Sequence, residues 1–204
     1  MNIELATIIA MLLSDGSVYY DKSKRTYCLQ FTNKNRALRE VFKRTITKCF
    51  NKRNFRDNRC KNAISVRFFS KKIAEELFEY TGSFKTAQAK IPESIFCSRE
   101  YATVFLRTYA SADGCVYRDK SHPNGVVEIS CKPLSFRKQL RRLLTTVGIH
   151  SRIISKGIRI DRKGEVSNFA KTVGFLPEST VTETRSSRYG RSKNEILCSC
   201  CSYS

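Results

Sequence analysis

Apolar residues recur at helical spacing through residues 4–14 and stop at Ser14-Asp15-Gly16, after which strand-like alternation takes over. In Thr26-Tyr27-Cys28-Leu29-Gln30-Phe31-Thr32 the alternation puts Tyr27, Leu29 and Phe31 on a core face and Thr26, Cys28 and Gln30 on the other. Continued along the chain, the pattern predicts helices over 4–14, 35–48 and 72–81 and strands over 17–22, 26–32, 53–58 and 63–69. That order implies a four-stranded antiparallel sheet with helices on one face and a polar, basic face left open.

The whole pattern then runs a second time. Asp15-Gly16-Ser17-Val18-Tyr19-Tyr20-Asp21-Lys22-Ser23 returns 98 residues later as Asp113-Gly114-Cys115-Val116-Tyr117-Arg118-Asp119-Lys120-Ser121, with seven of nine positions identical. The same offset pairs Lys34 with Lys132, Leu38 with Phe136, Arg39 with Arg137 and Phe42 with Leu140. After a six-residue gap, an offset of 92 sets Val66-Arg67-Phe68 against Ile158-Arg159-Ile160, and one of 85 sets Ile91-Pro92-Glu93-Ser94 against Leu176-Pro177-Glu178-Ser179. The fold class expected is α+β, a pseudo-two-fold tandem repeat of αββαββα units. Residues 1–82 form the first repeat, 83–98 a linker, 99–178 the second repeat, and 179–204 a basic Ser- and Cys-rich tail expected to be surface or partly disordered.

Composition narrows the partner. The 204 residues are 41% hydrophobic and 27% charged, enough apolar content for a real core. Lys and Arg number 38 against 18 Asp and Glu, a net charge of +20 spread along the chain, which repels itself unless a polyanion is bound. Nucleic acid is the expected partner. No apolar run reaches the ~18 residues of a bilayer span, no long basic amphipathic helix suggests a membrane surface, and Ile8 to Leu13 lacks the basic flank of a signal core. The expected location is intracellular, in cytoplasm, nucleoid or an organelle. Nine cysteines contain no C-x-x-C pair. Cys28, Cys49, Cys60, Cys97, Cys115 and Cys131 are expected as buried or half-buried thiols, and Cys198, Cys200 and Cys201 lack a nearby fourth ligand for zinc.

The duplicated acid carries the chemistry. Ala10 and Ser14 in the first motif helix, and Thr108 and Ala112 in the second, are small residues four apart, a spacing that lets two helix backbones approach closely. If those helices pack together, Asp15 and Asp113 emerge side by side at their C-terminal ends, where the helix dipole is unfavourable to a carboxylate. A cation resolves the conflict: two carboxylates with the carbonyls of Ser14 and Ala112 make a hard oxygen site suited to Mg²⁺. Gly16 and Gly114 are expected as left-handed helix caps.

The segments Ile8-Ile9-Ala10-Met11-Leu12-Leu13-Ser14-Asp15-Gly16 and Phe105-Leu106-Arg107-Thr108-Tyr109-Ala110-Ser111-Ala112-Asp113-Gly114, with Lys90-Ile91-Pro92 between them, resemble the paired signatures of single-chain, intron-encoded LAGLIDADG homing endonucleases. The resemblance covers about residues 3 to 180. It implies motif helices at an internal interface, sheets forming a saddle in the DNA major groove, and acids binding two or more divalent metal ions that hydrolyse both strands of a long asymmetric target. Asp15 and Asp113 would then be metal ligands, assisted by the carbonyls of Ser14 and Ala112. Lys90 resembles a lysine near the scissile phosphate, and Asn33 a polar position that holds active-site water. In the second copy Phe175 replaces the lysine and Cys131 the asparagine, so another lysine, Lys132 or Lys34, would serve, and the two strands should be nicked at unequal rates.

On this reading the first sheet offers Tyr19, Asp21, Thr26, Cys28, Gln30, Arg56 and Arg67 to double-stranded DNA. The second offers Tyr117, Asp119, Val126, Glu128, Arg152 and Arg159. Arg39, Lys43 and Arg44 are expected as a solvated, steering helix face. The chain is expected to act as a monomer. The alternatives are an RNA maturase acting on its intron and a cleavage-inactive nucleic-acid binder.

Overall fold

Each repeat opens on a capped helix. Asn2 caps α1 (Ile3–Ser14), its side chain accepting from the Leu5 amide at 2.8 Å, and Ser98 caps α5 (Arg99–Asp113) through the Tyr101 amide at 3.3 Å. The computed structural model describes residues 1–85, 87–119, 121–184 and 186–201; the side chain of Asp119 and residues Lys120 and Thr86 lie outside the described part. The first repeat continues with β1 (Gly16–Asp21), β2 (Thr26–Asn33), α2 (Arg36–Phe50), β3 (Arg56–Cys60), β4 (Ala63–Phe69) and α3 (Lys71–Thr81). After a one-turn α4 (Glu93–Phe96), the second runs α5, β5 (Gly114–Asp119), β6 (His122–Ser130), α6 (Leu134–Thr146), β7 (Arg152–Ile154), β8 (Gly157–Ile160) and α7 (Lys163–Thr172). A final helix, α8 (Lys193–Cys201), closes the chain.

The strands form two antiparallel four-stranded sheets, ordered β1-β2-β4-β3 and β5-β6-β8-β7. Helices cover one face of each. Phe42 of α2 packs on Phe31 and Phe68, and Phe78 of α3 on Tyr27, so the core face is the one the alternation predicted. Helices α1 and α5 pack directly on each other, with Ile8, Ile9, Ala10, Phe105, Leu106 and Ala110 all fully buried. The six-residue register change is split: two residues are lost between α6 and β7 and four in the β7–β8 hairpin, which is short and turns at Ser155-Lys156. Among the described residues no helix is long and apolar enough to cross a membrane.

Five expectations change. Strand β3 begins at Arg56, three residues later than predicted, because α2 extends to Phe50 and ends on Asn51 in the left-handed region. Gly16 and Gly114 are not left-handed caps: Gly114 has φ −98 and ψ 151, and Gly16 is absent from the positive-φ glycines. Glycine is required there by close approach, since a Cβ on Gly16 would lie 2.5 Å from the Leu12 Cα and one on Gly114 2.3 Å from the Ala110 carbonyl oxygen. Helix passes straight into strand with no room for a side chain. Arg39 is buried, donating to the carbonyls of Asn33 (2.7 Å) and Lys34 (2.9 Å), and Lys43 is half-buried between Glu40 and Asp57; only Arg44 lies on an open face. The segment after residue 179 is an ordered part of the fold. Ile196, Leu197 and Cys200 enter the core against β5, β6 and α7 because they supply the apolar side chains that the edge of the second repeat lacks. Among the cysteines, Cys28, Cys131 and Cys200 are buried, whereas Cys60, Cys97 and Cys115 are exposed, being on edge strands or at helix ends.

Candidate active site

The α1–α5 pair delivers two carboxylates to one place. Asp15 follows the last residue of α1, Asp113 is the last of α5, and both line a cavity of about 660 Å³ together with Ser14, Tyr109, Ser130, Cys131, Lys132, Ser155 and Lys156. Burial raises the Asp15 pKa. It raises that of Asp113 to about 7, with the negative charge of Asp15 adding to the effect. Two acids kept close and away from bulk water are a donor set that fits a hard divalent cation. Among the described residues no group of three or more His, Cys, Asp or Glu is placed to hold a metal ion, so carbonyl oxygens, water or a bound phosphate would complete such a shell.

The two acids are held differently. Asn33, at the end of β2, donates to Asp15 at 2.6 Å and accepts from the Asn35 amide at 2.7 Å, which fixes the orientation of the amide. In the second copy Cys131 stands at this position, its thiol pushed up to about 11 by burial, and the hydroxyl of Tyr109 interacts with Asp113 instead. Tyr109 is one helical turn before Asp113, buried between Phe105 and Phe136. Its repeat partner is Met11, so sequence symmetry gave no hint of it.

The lysines also sort themselves. Lys132 lines the cavity; Lys90 does not, because the flanking Ala89 and Ile91 are both buried and turn the intervening side chain outward. Lys156 lines the cavity unannounced by any motif: the shortened β7–β8 hairpin places its turn beside Cys131, whose amide donates to the Lys156 carbonyl at 2.9 Å. Lys34 is exposed and lies outside the cavity lining. The loops that carry these residues are pinned by the paired arginines. Arg39 binds the carbonyls of Asn33 and Lys34, and Arg137 those of Ile154 (2.5 Å), Ser155 (2.9 Å) and Lys132 (3.2 Å).

A further group was invisible in the sequence. Lys193, the first residue of α8, donates to the carbonyls of Ser111 (2.8 Å) and Gly114 (2.6 Å) beside Asp113. Ala112, a sequence-predicted carbonyl donor, lies in the same turn and lines a smaller cavity of about 380 Å³ with Asp113 and Lys193.

The outward faces of the sheets follow the strand register. Gln30 lies opposite Arg67 and Arg67 opposite Arg56 in the first sheet, and Glu128, Arg159 and Arg152 repeat this row in the second. Tyr19, Arg56 and Arg152 are exposed; Thr26, Gln30, Arg67, Tyr117, Glu128 and Arg159 are half-buried. Cys28 and Val126 are completely buried, each paired across the ladder with a large tyrosine, Tyr19 and Tyr117, so neither presents an edge to a ligand. Asp21 holds the β1–β2 turn, accepting from Ser23 Oγ (2.6 Å) and from the amides of Ser23 and Lys24, which lowers its pKa. The side chain of Asp119 lies outside the described residues.

Solved structures show the same architecture. Mesophilic variants of the homing endonuclease I-DmoI align with a TM-score of 0.66 at 17% identity, covering 88% of this chain and 97% of that one. The fold is that of the LAGLIDADG homing endonucleases. I-DmoI in complex with DNA and Mn aligns with a TM-score of 0.63 at 16% identity over 84% and 97% of the two chains. The N-terminal LAGLIDADG domain of DUF199/WhiA aligns at 0.57 and 13% identity over 85% and 83%. Residues 100–193 match the family model of the LAGLIDADG-like domain, a match that reaches past the second repeat to Lys193. Among curated proteins none matches the chain by sequence.

The charge on the two sheets is unequal. Glu128 accepts from Arg159 (2.5 Å) and Tyr117 (3.1 Å), while Arg67 donates to neutral Asn58 at 2.8 Å and faces neutral Gln30. Glu128→Gln would free one cationic charge on the second sheet. The expected result is tighter non-specific DNA binding with the logarithmic salt slope steeper by about one, measured by fluorescence anisotropy over a salt series.

Proposed function

We propose that this chain is a sequence-specific double-stranded DNA endonuclease that hydrolyses phosphodiester bonds with the help of divalent metal. The observation that carries this reading is the meeting of Asp15 and Asp113, 98 residues apart in sequence, in one cavity at the shared end of α1 and α5. The net charge of +20 and the arginine rows on the outward sheet faces support DNA as the partner. I-DmoI, whose fold this chain shares, is a homing endonuclease crystallised with DNA and Mn, Ca or Mg.

Asp15 and Asp113 would hold Mg²⁺ or a similar ion, which when bound polarises a phosphate and acidifies water. Asn33 keeps the Asp15 carboxylate in a fixed rotamer, and the Tyr109 hydroxyl does the same for Asp113. Lys132 and Lys156 place positive charge at the cavity wall, where an incoming scissile phosphate gains negative charge in its transition state. The two sheets, unlike in sequence, would read an asymmetric site as a monomer, since the internal α1–α5 interface already provides the pseudo-dyad. The unlike supports of the two acids, Asn33 on one side and Tyr109 with Cys131 on the other, favour unequal nicking of the two strands.

The direct test incubates the protein with plasmid carrying the sequence that flanks its gene, with and without Mg²⁺. Mg²⁺-dependent linearisation supports the endonuclease. Retained binding with intact DNA supports a cleavage-inactive binder, and selective binding of an intron transcript supports a maturase. With the same substrate, Lys132→Ala is expected to slow cleavage by about 10²-fold, whereas Lys90→Ala changes it less than about threefold.

A further inference from the structure

Lys193 lies outside both repeats, yet its side chain ends among the groups around Asp113. The residue is 7% exposed, and its ammonium donates to the carbonyls of Ser111 and Gly114, which flank the C-terminal end of α5. A helix leaves its last carbonyls unbonded there and carries partial negative charge, so a cation is well placed. The ammonium also lies 5.5 Å from the centre of the Phe175 ring, the position that matches Lys90 in the repeat register. An ammonium has three donors; two meet carbonyls, and the third has no acceptor among the described residues.

The side chain is tethered in place. The Lys193 amide donates to the Ser179 carbonyl (2.9 Å), Ser179 Oγ to the Ser111 carbonyl (3.1 Å), and the Leu176 amide to Ser111 Oγ (2.7 Å). Asn194 exchanges hydrogen bonds with both backbone groups of Phe175, at 2.9 and 3.0 Å, and α8 is anchored in the core by Ile196, Leu197 and Cys200. Burying an ammonium is unfavourable unless acceptors and opposite charge surround it. Here both do: carbonyl oxygens at hydrogen-bond distance, and the charges of Asp113 and Asp15.

Building on the endonuclease reading, we propose that Lys193 is the resident cation of the Asp113 half of the acid pair, a tethered positive charge that competes there with a divalent ion. Metal is then recruited chiefly on the Asp15 side, where Asn33 orients the carboxylate. Lys193 is a positioning residue supplied from outside the repeat, and it gives the second half of the site the lysine that Phe175 displaced.

The test titrates Mn²⁺ into DNA-free, full-length protein by calorimetry, comparing the unmodified chain with Lys193→Met and Lys193→Arg. Removing one nearby positive charge should tighten Mn²⁺ binding by about tenfold, or add one bound ion, in Lys193→Met, while Lys193→Arg stays within about twofold. A purely structural lysine would lower the melting temperature without tightening Mn²⁺, so unchanged or weaker binding by folded Lys193→Met overturns the proposal. If that variant does not fold, the unmodified chain answers. Reductive methylation of Lys193, read by mass spectrometry, should rise several-fold on saturation with Mn²⁺; no change overturns the proposal. Mn²⁺ binding by the unmodified chain that the substitution leaves alone removes only the role of Lys193. Absence of Mn²⁺ binding in every DNA-free variant overturns this proposal and leaves the endonuclease reading to the plasmid-cleavage test.

Discussion

Asp15→Asn and Asp113→Asn are each expected to reduce double-strand cleavage by at least about 10³-fold while leaving DNA affinity within about threefold. Asparagine keeps the size of the side chain and removes the charge that a divalent ion needs. At position 15 it still offers an oxygen to Asn33, which donates at 2.6 Å, so the local geometry survives. At position 113 it keeps an acceptor for the Tyr109 hydroxyl. End-labelling each strand separately, alongside an electrophoretic mobility shift, checks both halves of the expectation. Loss of binding in parallel with cleavage would assign the acids to architecture instead of chemistry. Cleavage retained by both variants would remove them from the reaction.

Asp113→Asn should also stabilise the metal-free protein at pH 8. The carboxyl titrates near 3.8 when solvated and at about 7 in the fold, where burial and the charge of Asp15 disfavour its ionised form. Between those values the folded state binds more protons than the unfolded one, so stability falls as pH rises from 3.8 to about 7 and levels off above. A shift of this size corresponds to on the order of 2–4 kcal/mol at pH 8, an upper range because the group keeps some contact with water. Lys193, held near 8 by burial, acts in the opposite direction at higher pH, which makes pH 5–8 the informative window. Chemical denaturation of both proteins with chelator should show a declining curve for the natural chain and a flatter one for Asp113→Asn. Parallel curves would mean that Asp113 is solvated and ordinary. Adding Mn²⁺ should raise the stability of the natural chain at pH 8.

The groups in this site differ in how far the sequence announces them. Asp15 and Asp113 are legible because the duplication sets them in register at element boundaries where the local pattern changes period; Asn33, which Cys131 replaces in the second copy, is legible only through the family resemblance. Lys132 is legible only as one of several candidates, since a lysine near a loop has no periodicity to place it. Tyr109 has no repeat partner with a hydroxyl, and its orientation depends on stacking between Phe105 and Phe136. Lys156 enters the cavity because four residues are missing from one hairpin, a deletion that the repeat offset records without saying where the turn lands.

What the sequence determined by itself was the repeat, the order of elements, the core face of each strand and the pair of acids, because these follow from short-range periodicity and from self-similarity at a fixed offset. Only the tertiary structure decided which cations face those acids. Lys90 turns away because Ala89 and Ile91 are buried around it, and Lys193 turns inward because a segment of unremarkable composition returns across the end of α5, where unbonded helix carbonyls and buried carboxylates favour positive charge. That balance of burial against compensating charge depends on the packing of segments far apart in the chain, which no local pattern encodes.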